Sequence, residues 1–180
     1  MVQTLRQQVF PGTDVNVFVV LDGASVPDLV MKLYELQPEH FCLYLGDLAP
    51  DMAEVAPYLV QLQADSPFAD WVFQEGWGKH WGILVHSQSD LRSLRRHFRN
   101  FLTIHDSAGK PLLFRYYDPR VLRVYLPTCN SEELGKMFGP VEAYLLEDET
   151  PNTLLRYRFV LGALEQQKVQ LQQEQQVIAS

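Results

Sequence analysis

The sequence is poor in cysteine, which limits the disulfide and metal sites that it can form. Only Cys42 and Cys129 are present among its 180 residues, and no Cys-x-x-Cys pair occurs. Four histidines lie in the middle of the chain: His80, His86, His97 and His105. None of them stands at metal-ligand spacing from a thiol. We therefore expect reduced, structural thiols, no metal site and no cofactor.

Long hydrophobic runs are also missing. The most apolar run, Val17 to Leu21, is far shorter than the ~20 residues that a membrane-spanning helix needs. The N-terminal segment MVQTLRQQVFPGTDV lacks the continuous apolar stretch of a signal peptide. These absences predict a cytoplasmic protein with no membrane insertion.

The common catalytic motifs are absent as well. There is no Gly-x-Ser-x-Gly, no phosphate loop ending in Gly-Lys-Ser/Thr, no His-Glu-x-x-His and no Gly-x-Gly-x-x-Gly after a strand. The segment Gly76-Trp77-Gly78-Lys79 begins like a phosphate loop, but it lacks the earlier glycine and the hydroxyl residue after lysine. The sequence thus favours a protein that is not an enzyme.

The chain does contain strong strand patterns. "VNVFVVLD" (15–22) is dense in valine and phenylalanine and reads as a central strand with both faces buried. Further strands are predicted at 41–45, 57–60, 80–87, 141–148 and 154–160. Two extended runs on either side of Ser107-Ala108-Gly109-Lys110 predict a hairpin.

Helices are predicted between these strands. Their expected ranges are 25–37, 66–75, 89–102, 118–126 and 131–138. Ser25, Ser66 and Ser89 are expected to cap the first three, because a serine side chain can accept a hydrogen bond from a free N–H of the first turn. The segment 47–56 is expected to be a loop or a short helix.

The order of these elements indicates an α/β protein, a single domain with a mixed β-sheet flanked by helices. The domain is expected to span residues 1–160. Residues 161–180 are glutamine-rich, and leucines in this stretch can align on one face of a helix. We therefore expect a short C-terminal helical tail over 161–180.

The net charge of −7 is unevenly distributed. Residues 1–75 carry Arg6 and Lys32 against eleven acids, whereas 76–129 carry nine bases against three acids. Residues 130–180 return to four bases against eight acids. Such a distribution is typical of a surface that meets a partner, but the two zones can also satisfy each other within the fold.

The helix predicted at 89–102 carries a stripe of arginines. Arg92, Arg95, Arg96 and Arg99 stand at i, i+3, i+4 and i+7, so they are expected to share one face. Three interpretations stay open: a solvated face with salt-bridge partners, a nucleic-acid contact, or a contact with an acidic protein. The acidic total argues against nucleic acid. These four residues are the candidate partner-binding positions.

The stretch "LLFRYYDPRVLRVYL" (112–126) places charged residues at the end of an apolar run. Asp118-Pro119 is a good helix start, because aspartate can cap and proline fits the first turn. We expect the Asp118 carboxylate to lie between the guanidinium groups of Arg115 and Arg120 as a structural joint. The alternative is a small-molecule or nucleotide-binding enzyme that uses the same three residues.

At this point the chain resembles a known family. "VFVVLDGA", "LYLGDLAPDMAEVAPYLVQL", "WGILVHSQSDLRSLRRHFRNFL", "LLFRYYDPRVL" and "MFGPVEAYLL" follow one another between about Val15 and about Leu146. In order and content these blocks resemble the adaptor chaperones of the bacterial type VI secretion system, long filed as a domain of unknown function.

The resemblance implies a role without catalysis. It implies an adaptor that binds a secreted toxic effector protein in the cytoplasm, and that can also contact the spike tip protein during loading. It implies no catalytic residue and these hallmark positions: Arg115, Tyr117, Asp118, Pro119, Arg120, Phe138, Gly139 and Pro140. Many members continue into a longer helical lobe, whereas only a short tail is expected here.

Overall fold

The computed structural model describes residues 1–12, 14–105 and 108–172 of the chain. Within these ranges the helices are α1 (Val2–Val9), α2 (Leu29–Leu36), α3 (Pro50–Val55), α4 (Pro67–Trp71), α5 (Leu91–Arg99), α6 (Pro119–Tyr125) and α7 (Ser131–Phe138). A π-helical turn (Val72–Gly76) follows α4, and a 3-10 turn (Leu126–Thr128) follows α6. No helix in the described ranges is long and apolar enough to cross a membrane.

The described strands form one large sheet and one small hairpin. They are β1 (Asn16–Asp22), β2 (His40–Cys42), β3 (Pro57–Leu62), β4 (Gly82–Ser87), β5 (Thr103–His105), β6 (Pro111–Leu113), β7 (Ala143–Glu147), β8 (Thr153–Val160) and β9 (Ala163–Gln170). The large sheet has the order β2-β3-β1-β4-β7-β8-β9, and β5 pairs with β6. The predicted single-domain α/β fold is confirmed. A mixed sheet would contain both parallel and antiparallel pairs of strands. All neighbouring strands described in this sheet pair antiparallel.

Strand β1 runs through the middle of the sheet. Val19 lies opposite Val60 of β3 on one side and Leu84 of β4 on the other. Side chains from Val17 to Asp22 are buried. Because successive side chains of a strand point to opposite faces, the sheet is covered on both faces at this position. The prediction of a doubly buried central strand is confirmed.

Helices α5, α6 and α7 cover one face of the sheet. Their buried side chains pack with the strand residues that point to that face, among them Phe18, Val20, Ile83, Val85 and Tyr144. Helices α1, α2 and α4 cover the opposite face, where Val17, Val19 and Leu21 join residues such as Leu5, Leu29, Leu33 and Phe68. The result is a three-layer arrangement of helices, sheet and helices.

Of the three predicted serine caps, the structure confirms one. The Ser66 hydroxyl accepts a hydrogen bond from the backbone N–H of Ala69 at 3.2 Å, and Pro67 is the first residue of α4. The prediction for Ser89 is wrong, because Asp90 is the cap of α5 and its carboxylate accepts from the N–H of Ser93 at 2.7 Å.

The prediction for Ser25 is also wrong. Helix α2 begins only after Asp28, whose φ of 56° is left-handed and breaks any helix that would start earlier. Proline at position 27 has the same effect, since it disfavours helical backbone in the residue before it. The hydroxyl of Ser25 instead donates to the Asp22 carboxylate at 2.8 Å.

The predicted hairpin is confirmed in the described residues, where Thr103 lies opposite Leu113 and Ile104 opposite Leu112. Residues 106 and 107, between the two strands, lie outside the described residues. The predicted C-terminal helix is wrong over 163–170, which form β9, and the part of that prediction at 173–180 lies outside the described residues.

The two-residue connection from β8 to β9 explains this error. Leu161 and Gly162 both have positive φ, 51° and 84°, as a type I′ hairpin turn requires. The turn could not be recognised from the sequence because leucine occupies its first position, where asparagine followed by glycine is the usual signal. Pairing with β8 along the whole of β9, from Ala163 to Gln170, then overrides the helix preference of glutamine.

We expect Leu161→Asn to raise the free energy of unfolding by about 0.5–1 kcal/mol, because asparagine tolerates left-handed backbone and this leucine is fully exposed. Gly162→Ala, in the same turn, is expected to lower it by about 1 kcal/mol, since φ is 84° and a Cβ would lie 3.3 Å from Ser131 Oγ. Urea unfolding measures both. Equal effects of the two changes would contradict a type I′ turn.

Candidate functional site

One end of the sheet gathers three buried carboxylates. Asp22 is the last residue of β1 and Glu147 the last of β7, and these strands flank the beginning of β4. Asp118 caps α6 nearby, since Arg115 contacts both Asp22 and Asp118. A buried carboxylate needs charged or hydrogen-bonding partners to remain ionised. We call these three residues the carboxylate cluster.

Asp22 has three donors around it. The Arg115 guanidinium and the Ser25 hydroxyl, at 2.8 Å, both bond to its Oδ2, and the backbone N–H of Ala24 donates to Oδ1 at 3.2 Å. The Asp22 side chain is 2% exposed, whereas that of Arg115 is 40% exposed. The hydrogen bond to Asp22 raises the pKa of Arg115 above its ordinary value. The pair therefore neutralises a buried anion with a guanidinium that still reaches solvent.

Asp118 has a second, local set of donors. Its Oδ1 accepts from the backbone N–H and the Nε of Arg120, at 2.9 and 3.0 Å, and its Oδ2 accepts from Nη2 at 2.7 Å. Burial acts to raise the pKa of Asp118, but the bonds from Arg120 outweigh it and the pKa lies below the ordinary value. One carboxylate thus starts helix α6 and holds an arginine in bidentate geometry.

The structure corrects the expected placement of Arg115. We expected it to share Asp118 with Arg120, but its nearest contact with Asp118 is 3.9 Å and its hydrogen bond goes to Asp22. Asp22 was not identified from the sequence as a site residue. A possible signal was its position at the end of "VNVFVVLD", where a charged residue closes a run that is buried on both faces.

The third carboxylate, Glu147, fills the loop that resembles a phosphate site in the sequence. Its Oε1 accepts from the backbone N–H of Gly78 at 3.0 Å, and its Oε2 accepts from that of His80 at 3.2 Å. Burial raises the pKa of Glu147 above its ordinary value despite these donors. Backbone N–H groups in such a turn bind anions, and here the anion is supplied by the protein itself.

The cavity beside Glu147 is too small for a substrate. The cavity that Glu147 lines together with Trp77 and Trp81 has a volume of about 20 Å³, enough for about one water molecule. Within the described ranges, no group of three His, Cys, Asp or Glu side chains could hold a metal ion. The geometry of the cluster matches that of a joint between β1, β7 and α6.

The remaining hallmark residues lie elsewhere. The Pro140 carbonyl accepts from the hydroxyl of Ser87, at the far end of β4, at 2.6 Å. Gly139 ends α7 with a φ of 43°, and a Cβ there would lie 2.7 Å from the ring of His97. Phe138 is buried against Tyr144, with ring centroids 5.1 Å apart.

The eight hallmark positions do not form one cluster in the fold. Arg115, Asp118 and Arg120 lie where β4 begins, and Phe138–Pro140 lie where it ends, roughly 17 Å away for a strand of six residues. Pro119 is buried as the first residue of α6, and Tyr117 is buried in the segment that leads to it.

The arginines of α5 separate into two pairs. Arg99 donates to the carbonyl oxygens of Cys42, Leu43 and Tyr44 at 2.7–3.1 Å, so it covers the chain at the end of β2. Arg95 lies over the Phe41 ring, 4.4 Å from its centroid. Both are half-buried and serve the fold.

Arg92 and Arg96 remain exposed. The only hydrogen bond described for the Arg96 guanidinium goes to the hydroxyl of Ser93 at 3.3 Å, within the same helix. Of the four arginines expected to form one stripe facing a partner, only these two are therefore exposed enough to do so. The sequence could not separate the pairs, because the acceptors of Arg99 are backbone carbonyls and carry no residue-specific signal.

Both cysteines are free and half-buried. Burial raises the pKa of each thiol above its ordinary value, so neither is activated as a nucleophile.

Comparison with known proteins identifies the family. The family model described as "Domain of unknown function (DUF4123)" matches residues 17–136, two thirds of the chain. The chain therefore belongs to the DUF4123 family. The match starts in β1 and ends in α7, so it includes Asp22, Arg115, Asp118 and Arg120. No curated protein and no solved structure matched the chain significantly.

We expect Arg115→Ala to lower the free energy of unfolding by about 2–4 kcal/mol, because it leaves the Asp22 carboxylate buried without its cation. Arg120→Ala is expected to cost about 1 kcal/mol, since its side chain is 53% exposed and Asp118 keeps a backbone donor. Urea unfolding measures both, with Arg92→Ala as the matched exposed control. A larger loss for Arg120→Ala than for Arg115→Ala would contradict this assignment.

The lowered pKa of Asp118 has a consequence for stability against pH. A depressed folded-state pKa stabilises the fold above the unfolded value, ordinarily 3.8, and this contribution disappears as the pH falls through the folded value. Asp118→Asn keeps a capping side chain but removes the charge. We expect it to cost about 1 kcal/mol at pH 7 and progressively less below pH ~4. A pH-independent difference between the two proteins would show that the charge of Asp118 contributes nothing.

Proposed function

We propose that this member of the DUF4123 family is an adaptor chaperone of a bacterial type VI secretion system. In this role it binds a toxic effector protein in the cytoplasm, without catalysis, and helps to load it onto the spike tip protein. The observation that carries the proposal is the ordered series of sequence blocks from "VFVVLDGA" to "MFGPVEAYLL", most of which lies within the matched residues 17–136.

The use that the fold makes of its charged hallmark residues supports this proposal. Arg115 neutralises Asp22, and Arg120 is engaged by Asp118. An active site normally presents such groups to a cavity that can hold a substrate. Here the Asp22 and Asp118 carboxylates are buried, and each is paired with an arginine of the protein itself. This arrangement favours the adaptor over the alternative enzyme based on Arg115, Asp118 and Arg120.

The distribution of exposed groups also favours a protein partner. Helix α5 presents Arg92 and Arg96 to solvent, and its other two arginines contact the protein itself. Two exposed arginines on an acidic protein form a small footprint for a nucleic acid, which usually requires an extended basic surface. They are better suited to steering a partner protein of opposite charge.

Co-purification from the bacterium of origin tests this function. Tagged full-length protein is captured from cells that express the secretion system, and bound proteins are identified by mass spectrometry against a tagged, unrelated cytoplasmic protein. We expect enrichment of one secreted toxin, with or without the spike tip protein. Failure to enrich any secreted protein, with the bait intact and folded, would contradict the proposed function.

A second arm of the same experiment tests dependence. If the chain is a loading adaptor, deletion of its gene abolishes secretion of the captured toxin while other secreted components remain at normal levels. Restoring the wild-type gene is the control. Unchanged secretion of that toxin in the deletion strain would contradict a loading role even if the two proteins bind.

A further inference from the structure

A broad groove opens between helices α2 and α3, on the side of the sheet opposite to α5. Its volume is about 720 Å³, and the loop after β1 forms one of its walls. The groove lies in the acidic first third of the chain, where residues 1–75 contain eleven acids and two bases. None of the residues to which we assigned a role in the carboxylate cluster lines it, except for Ser25 and Ala24, which bond to Asp22.

The groove is bordered by large apolar side chains that are exposed to solvent. Tyr34 is 80% exposed and Met31 is 56% exposed, and Val30 and Val55 complete the apolar surface. Single exposed apolar residues are common on proteins, but a contiguous set around a groove is typical of an interaction site. A small-molecule pocket would enclose most of its ligand, which this open groove does not do.

These side chains stand on helices in a regular arrangement. Leu29 and Leu33 anchor α2 in the core, so Val30, Met31 and Tyr34 project from its other side. On α3, Val55 is the apolar residue that lines the groove, and it is 42% exposed. Residues three and four positions apart form ridges on a helix surface, and an apolar groove beside such ridges can bind the apolar face of another helix.

The rim of the groove is negatively charged. Asp28 and Glu54 line it directly, and Asp51 is exposed in the first turn of α3. The nearby Lys32 forms an ion pair at 2.8 Å with Glu35, the one acid within α2, and so does not neutralise the acids of the rim. A ligand for this groove therefore needs an apolar face and positive charge beside it.

We propose that the groove between α2 and α3 binds a basic amphipathic helix of the partner protein. The helix inserts apolar residues spaced by three or four positions between the two ridges and places lysine or arginine against the acidic rim. This inference rests on the proposed adaptor function, and it specifies the surface and the chemistry through which the partner is recognised.

The direct test uses a synthetic probe and the full chain. The probe is a fluorescein-labelled 18-residue peptide of leucine and lysine, patterned as an amphipathic helix, and its control has glutamate in place of every lysine. Fluorescence anisotropy is expected to show saturable binding of the lysine peptide, at least ten-fold tighter than that of the glutamate peptide. Absence of binding of the lysine peptide would overturn the proposal.

Substitutions locate the binding. The double variant Met31→Asp and Tyr34→Asp is expected to weaken binding at least ten-fold, and it leaves the core untouched because both side chains are exposed. Val124→Asp, at an exposed apolar position of α6 on the other face of the sheet, is the matched control and is expected to change binding less than two-fold. An equal loss of peptide binding in the double variant and in Val124→Asp would overturn the assignment to the groove.

Charge is tested separately with two variants of equal net charge. Asp51→Asn with Glu54→Gln is expected to weaken binding of the lysine peptide about five-fold at low salt, whereas Asp65→Asn with Glu165→Gln, at exposed sites outside the groove, has little effect. Equal losses would show that the peptide responds only to the overall acidity of the protein, which would overturn the proposal.

A second copy of the chain is the other possible occupant. Sedimentation of the wild-type protein and of the Met31→Asp, Tyr34→Asp variant decides this point. A wild-type dimer that the variant dissociates would show that the groove is a self-association surface, and the proposal would be wrong. An unchanged monomer in both proteins supports it.

Capture of the effector from the bacterium of origin separates the two proposals. If wild-type protein captures an effector and the Met31→Asp, Tyr34→Asp variant captures at least ten-fold less, both stand. If the variant captures it equally well, the adaptor function stands and the groove is excluded. If the wild type captures no secreted protein while the lysine peptide binds at the groove, the adaptor function fails and the groove remains a binding site for basic helices.

Discussion

A carboxylate at the end of a strand that is buried on both faces must be neutralised, and much of this structure is arranged around that requirement at Asp22. Its cation, Arg115, is 93 residues away in the sequence, so the ion pair joins β1 to the segment that leads into α6. Phe114, Tyr116 and Tyr117 flank the arginine and are buried in the core beneath α5 and α6. Apolar anchors thus hold the arginine in place, and the charge completes the end of the sheet.

Asp118 extends this joint into the next helix. The same carboxylate caps α6 and binds Arg120, so the start of the helix and the polar end of the sheet are positioned by one residue. Glu147 positions the loop at Gly78 and His80 in a similar way, because its carboxylate accepts hydrogen bonds from their backbone N–H groups. Ion pairs of this kind define geometry more than they add stability, because their desolvation offsets much of the Coulomb attraction.

The remaining surface is divided between edges that are protected and faces that are open. At one edge of the sheet, Arg99 occupies the carbonyl oxygens at the end of the short strand β2, which limits pairing with another chain there. At the other edge, β9 carries charged and glutamine side chains, among them Glu165 and Lys168. The apolar side chains around the groove of α2 and α3 have no such protection, which distinguishes this region from both edges.

Several local structural features could be predicted from the sequence because a few neighbouring residues specify them. The run from Val17 to Leu21 specified a doubly buried strand, Ser66 and Asp118 specified helix starts, and the spacing around Gly109 specified a hairpin. In each case the signal lies within a few neighbouring residues, because burial periodicity, capping and turn geometry act over one or two turns of the chain.

Tertiary structure decided the rest. The choice of Asp22 as the partner of Arg115, and the separation of Arg95 and Arg99 from Arg92 and Arg96, depend on contacts between distant segments. Residues 163–170 form a strand because every one of them pairs with a residue of β8 after the left-handed turn at Leu161. Such pairing outweighs the intrinsic preference of these residues for a helix. The sequence alone determined the central strand that is buried on both faces and the starts of α4 and α6. Which charges meet, and which edge the tail joins, followed only from the packed fold, since both depend on segments that the chain order does not place together.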